Sequence, residues 1–159
     1  MNSVGAIIVA SFALSWVAAG AHQLGRHWFV SILSISILIS AGIIIAAIRA
    51  PFAKHTGAFN RAIYGIVVTL EVIAIIIAVV LLNRPGRKQY LIPVIAFIVG
   101  VHFFGMVPAL HLNEFWWIGG AMGALSLLGM LVLPRKFWAP IVGIGCAIIL
   151  WFSALGAFF

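Results

Sequence analysis

An all-α, polytopic transmembrane bundle of six helices is the fold class this chain predicts, and three observations carry that prediction. Apolar residues make up 65% of the 159 residues and charged residues only 7%, against about 45–50% and about 25% in an ordinary globular domain. Mean hydropathy is +1.29. The apolar residues fall into runs of about 20, the length that crosses a bilayer core as a helix. Short breaks between the runs hold every charged residue except Glu71. A water-soluble protein of this composition would have too little polar surface to show to water. The chain reads as a single transmembrane domain over residues 1–159, with five helices as the alternative count.

The first run is Val4–Ala21. Ala19-Gly20-Ala21 resembles a signal-peptide cleavage site, but no Lys or Arg precedes the apolar stretch, so the run is expected to be a membrane helix. The break His22–His27 leads to the second run, Trp28–Ile48. The break Arg49–Arg61 contains Pro51, a residue that cannot continue a helix. The third run is Ala62–Leu82, the fourth Tyr90–Leu110, the fifth Phe115–Leu133 and the sixth Phe137–Phe159. Pro85 and Pro134 punctuate the third and fifth breaks. Trp28, Tyr90, Trp116, Trp117 and Trp138 stand at helix starts, where aromatic side chains anchor at headgroup level.

Six spans put the first, third and fifth breaks on one side, with Arg26, Arg84, Arg87, Lys88, Arg135 and Lys136. The other side holds Arg49, Lys54 and Arg61. Lys and Arg collect in cytoplasmic loops, so both termini are expected outside the cytoplasm, in a multi-pass protein of the cell inner membrane. The formal net charge of +7 then reflects loop residues near anionic lipid. No basic stripe interleaves with aromatics, and nucleic acid is excluded as a partner. Cys146 has no second cysteine to pair with and reads as a small buried hydrophobe.

Two short echoes point to an inverted repeat of two three-helix halves. His27-Trp28-Phe29 resembles Phe115-Trp116-Trp117, and Arg49-Ala50-Pro51-Phe52 resembles Pro134-Arg135-Lys136-Phe137. Transporters are often built from such repeats. Small-xxx-small steps at Gly119/Gly123, Gly120/Ala124 and Gly143/Ala147 predict close helix crossings, within the chain or in a homo-oligomer.

Glu71 is the most informative residue. It lies at the centre of the third run between Leu70 and Val72, where an acidic side chain costs about 2.5–3.5 kcal/mol on insertion scales. It must carry a proton, pair, or face a wet cavity. His102 lies at a similar depth in the fourth run, and a short connection makes the two helices antiparallel neighbours. The pair is expected to meet at the midplane as a neutral carboxyl beside a neutral imidazole. An ion pair in hydrocarbon recovers its desolvation only with further hydrogen bonds. Gly100, Gly105 and Pro108 weaken the fourth helix around His102, with Pro108 freeing the carbonyl of Phe104. A bend or break there is expected, as in many transport sites.

Gly100-Val101-His102-Phe103-Phe104, followed by Phe115-Trp116 and Gly119-Gly120, resembles a pattern in a family of uncharacterised multi-helix bacterial membrane proteins. There a Gly-x-His-Phe motif precedes paired aromatics and a Gly-small step. The resemblance spans about 20 of the 159 residues. It departs at Gly105, where the pattern has proline and this chain places it at Pro108. It implies weight on His102 and carries no activity.

Other chemistries find little support. His111 and Glu114 are three apart, on one helix face if helical, and His55 shares their side of the membrane. The expected reading is polar residues at a helix end rather than a metal site. No two histidines are level enough to hold haem, and no cofactor is expected. The chain has no Asp, so no Ser–His–Asp triad is readable. Three readings stand in order: a small proton- or cation-coupled transporter, a homodimer working on Glu71 and His102; a non-catalytic accessory protein with Glu71 as interhelical glue; and, last, a membrane enzyme, which is not expected. A cavity at Glu71 separates the first two.

Overall fold

The computed structural model describes residues 3–49 and 59–158. Pro51, Phe52, Lys54 and His55 lie outside them, as does Phe159. Six helices follow one another: α1 Ser3–Ala21, α2 Arg26–Arg49, α3 Arg61–Leu82, α4 Leu91–Leu110, α5 Glu114–Val132 and α6 Trp138–Leu155. All six are long and apolar enough to cross a bilayer, and the described residues contain no strand. The chain is a transmembrane helical bundle.

The expected boundaries hold within a few residues, with two informative shifts. The first break is tighter than its composition implies. A 3-10 turn at His22–Leu24 ends at Gly25, whose φ of +89° reverses the chain, so α2 starts at Arg26. Glycine is the residue that reaches this φ without a steric penalty. At the other end α6 stops at Leu155 and Gly156–Phe158 form a single 3-10 turn. The helix does not extend to the end of the apolar run, because glycine is a poor helix former.

Lipid tails are as apolar as leucine, so these helices are held by close approach and hydrogen bonds rather than by escape from water. Two close backbone approaches set glycine against glycine. A Cβ built on Gly143 of α6 would lie 2.7 Å from Cα of Gly20 on α1. One built on Gly119 of α5 would lie 2.6 Å from the carbonyl oxygen of Gly100 on α4. Around the first crossing α1 buries Ala6, Ala10, Ala13, Val17 and Ala21, a stripe at helical spacing. α4 and α5 also pack on α6, and these four helices form the centre. α2 lies outside α1, and α3 lies outside α4.

Two hydrogen bonds from serines tie the layers. Ser40 on α2 donates to the carbonyl of Ala10 at 3.0 Å and accepts from Trp151 Nε1 of α6 at 2.9 Å. One hydroxyl thus joins three helices. Ser126 on α5 donates to the carbonyl of Pro93 on α4.

Several expectations need correction. Trp138 is buried: its ring packs on Tyr90 and its Nε1 donates to the Leu133 carbonyl at 2.8 Å. It closes the turn before α6 instead of anchoring at the headgroups. Both glycines of the Gly119/Gly123 step lie at the α4–α5 crossing, Gly123 with its backbone against Gly100, but only Gly119 directs its Cβ position at α4; Gly120 and Ala124 point outward. α4 is continuous through Pro108 to Leu110. Proline near the last turn forfeits a single helical bond there, so the helix is not broken. The two halves echo each other in part: α1 packs between α2 and α6 as α4 packs between α5 and α3. α5 also packs on α6, without a comparable contact between α2 and α3.

Candidate functional site

Glu71 is the eleventh of the 22 residues of α3, and His102 the twelfth of the 20 residues of α4. Both therefore sit near the middle of their spans. Three local features bring them together. The α3 N-cap is Asn60, whose side chain accepts from the N–H of Ile63 at 3.1 Å. The main-chain N–H of Asn60 donates to the carbonyl of Ala109 at 3.0 Å, fastening the start of α3 to the end of α4. Below this, Gly105 lets the two helices approach: a Cβ there would meet Val67 Cγ2 at 2.8 Å. Val67 is one turn before Glu71, and Gly105 nearly one turn after His102. The glycine thus sets the helix separation at the level of the pair.

The result is a direct contact. His102 Nδ1 lies 3.1 Å from Glu71 Oε2, with the side chains 10% and 18% exposed. The imidazole also hydrogen-bonds to the main chain at Val67. Nδ1 is buried and makes no hydrogen bond of good geometry, although the Glu71 carboxyl lies within reach. Two lone pairs at this separation would repel, and one proton held by the pair relieves that repulsion. It resides on the carboxyl or on the ring, and either way the pair carries no net charge. This is an arrangement that can hold one proton and give it up.

The pair is not sealed among aliphatic side chains. It lines a cavity of about 470 Å³, within the usual range of about 300–1,000 Å³ for small-molecule sites. Tyr64, Val68 and Glu71 descend one face of α3, spaced four and three residues apart. Val99, His102, Phe103 and Met106 line it from α4, and Phe12 and Trp16 face them from α1. Phe115 and Leu150 contribute from α5 and α6. Tyr64 stands seven residues above Glu71, about 10 Å along the helix. The cavity therefore reaches from the end of the bundle carrying Phe59 and Leu112 down to the pair. Phe12 and Tyr64 on its walls are 61% and 38% exposed, so among the described residues it is open to the surroundings.

The Gly-x-His-Phe stretch makes the seam behind the cavity. Gly100 meets Gly119, Phe103 lies against Phe115 with centroids 5.3 Å apart, and Phe104 lies against Trp116 at 5.3 Å. The spacing of that stretch is the spacing needed for α4 and α5 to cross with His102 held toward α3.

Sequence reasoning found Glu71 and His102 and missed the rest of the chamber. Tyr64 had a signal, lying seven residues before Glu71 and so on the same helix face. Phe12 and Trp16 had none, since nothing local places α1 opposite α4. His111 and Glu114 are polar residues at helix ends, as expected, without the shared helix face that their spacing allowed. His111 ends α4 in the left-handed region at φ 54°, and Glu114 opens α5, so they do not share a helix face. No group of three or more metal-ligating side chains occurs among the described residues, and His55 lies outside them.

Set beside known proteins, the chain matches no family model, no curated protein and no solved structure.

Proposed function

We infer that this protein is a small proton- or cation-coupled transporter, with Glu71 as the coupling residue and His102 as its proton-sharing partner. The observation that carries the reading is the placement of the pair at the foot of an open cavity at mid-depth. A carboxyl used only as glue between helices would be better enclosed, since enclosure strengthens its hydrogen bond and spares it from water. A coupling carboxyl needs the opposite: access from one side, a partner that shares its proton, and space for a substrate beside it.

On the orientation favoured by the loop charges, the cavity faces away from the cytoplasm, in the inner membrane of a cell. Opening toward the other side would require α3 to shift against α4. α3 is suited to this because α4 is its main neighbour, while Leu70, Ile73, Ile76, Ile77 and Val80 face outward. Lipid offers little resistance to an apolar face sliding past it.

One observation favours the accessory reading: the Glu71–His102 contact is also a polar link that docks α3 on α4. A single experiment separates the two. Purified protein and Glu71→Gln are reconstituted into liposomes, and proton flux is followed across a panel of candidate substrates, with melting curves recorded in parallel. Substrate-dependent flux in the wild type, lost in a Glu71→Gln variant that melts normally, supports transport. A variant that melts well below the wild type, with no flux in either, supports glue.

A further inference from the structure

We propose that the cavity binds an apolar-bodied organic cation, which exchanges for the proton shared by Glu71 and His102. The proposal rests on the coupling role of Glu71 above and adds the chemical class of its substrate.

Charge comes first. Among the described residues the cavity lining contains one acid, Glu71, and no Lys or Arg. With its one proton the Glu71–His102 pair is neutral; without it the pair carries one negative charge. A monovalent cation entering as that proton leaves keeps the buried site neutral throughout, which a low-dielectric location demands. The proton leaves the pair for bulk water as the cation enters, no covalent bond to the substrate forms, and the exchange is one for one. An anion would need the pair doubly protonated, and no Lys or Arg stands among the described lining residues to hold it.

The walls point the same way. Phe12, Trp16, Phe59, Tyr64, Phe103 and Phe115 line the chamber, and aromatic faces attract cations through their quadrupoles, most strongly when water is excluded. Trp16 and Phe115 are 8% and 7% exposed and Phe12, Phe59 and Tyr64 61%, 49% and 38%, so the chamber offers both withdrawn and accessible aromatic faces. An inorganic cation would lose most of its hydration here for a single carboxylate. A cation with its charge spread over an apolar body loses little hydration and gains contact with every wall.

The access route fits such a molecule. α1 and α3 flank the cavity but do not pack closely on one another, and Ile8 and Phe12 on the α1 side are 51% and 61% exposed. A substrate dissolved in the outer part of the bilayer meets the cavity from the side, between these helices.

The test uses the full chain in detergent micelles with tetraphenylphosphonium as probe and tetraphenylborate as its shape-matched anion. Binding is measured by equilibrium dialysis, and proton release by a pH indicator in weak buffer. The expected result is one saturable site and about one proton released per cation bound. Glu71→Gln is expected to weaken binding by about thirtyfold or more and to abolish proton release. Phe12→Ala, on an exposed wall where folding is not at stake, should weaken binding severalfold and leave the proton stoichiometry unchanged. Tetraphenylborate should not compete. The proposal is overturned if the wild type binds the cation without releasing a proton, if it shows no saturable site, or if tetraphenylborate displaces the cation as well as unlabelled cation does. If Glu71-dependent flux appears in liposomes with some other substrate while this cation fails to bind, the substrate class is wrong and the coupling role stands. If no substrate gives Glu71-dependent flux, both fall.

Discussion

Adding one methyl group at Gly119 should cost this protein much more than adding one at Gly123, although the two glycines stand four residues apart on α5. A Cβ at Gly119 would sit 2.6 Å from the carbonyl oxygen of Gly100 and 2.9 Å from the ring of Phe104. The oxygen belongs to the backbone of α4 and cannot rotate away, and Phe104 is braced by Trp116. Relief requires α4 and α5 to separate by most of an ångström. A gap of about 0.5–1 Å forfeits a quarter to a half of each dispersion contact along a seam, and overpacking of this kind costs about 1–3 kcal/mol. That is about a 5- to 150-fold shift in the folding equilibrium. A Cβ at Gly123 meets nothing within 4 Å, so Gly123→Ala should match or slightly exceed the wild type, since alanine is the better helix former. The assay is equilibrium unfolding of both variants in mixed micelles, followed by helical circular dichroism. Gly119→Ala also displaces Gly100, two residues from His102, so its proton flux should fall even where it remains folded. Equal unfolding midpoints for the two variants would refute the assignment of Gly119 to the α4–α5 crossing.

Ser40→Ala removes the hydrogen bond to Ala10 and leaves the indole N–H of Trp151 buried without its partner; the expected loss is about 1–3 kcal/mol, measured in the same micelle titration, and an unchanged midpoint would contradict the three-helix link. Ser36→Ala removes only a bond to its own helix, at the carbonyl of Ile32, and should cost clearly less in that assay. Six spans with the positive loops inside predict that a reporter fused after Phe159 reads outside the cytoplasm, and a cytoplasmic signal would reverse the side on which the cavity opens.

The sequence alone determined the class, favoured six helices over five, and placed most of their limits to within a few residues. The reason is that the bilayer imposes a length: a span needs about 20 apolar residues, and charge is confined to what lies between spans. The same rule exposed Glu71, because an acid in mid-span is costly enough to stand out, and placed His102 at its level. Glycine was legible as a sign of close approach but not as an address. Gly119 faces α4 and Gly120, one residue on, faces outward. Only the tertiary structure decided that α1 lies against α6, that Trp138 is buried, and that Phe12 and Trp16 of the first helix wall a chamber whose floor is made by the third and fourth. In water, a helix face bound for the core is marked by apolar residues and its opposite face by polar ones. In lipid both faces are apolar, so the sequence pattern that would reveal neighbours is absent, and which helices touch is settled by how closely their backbones fit.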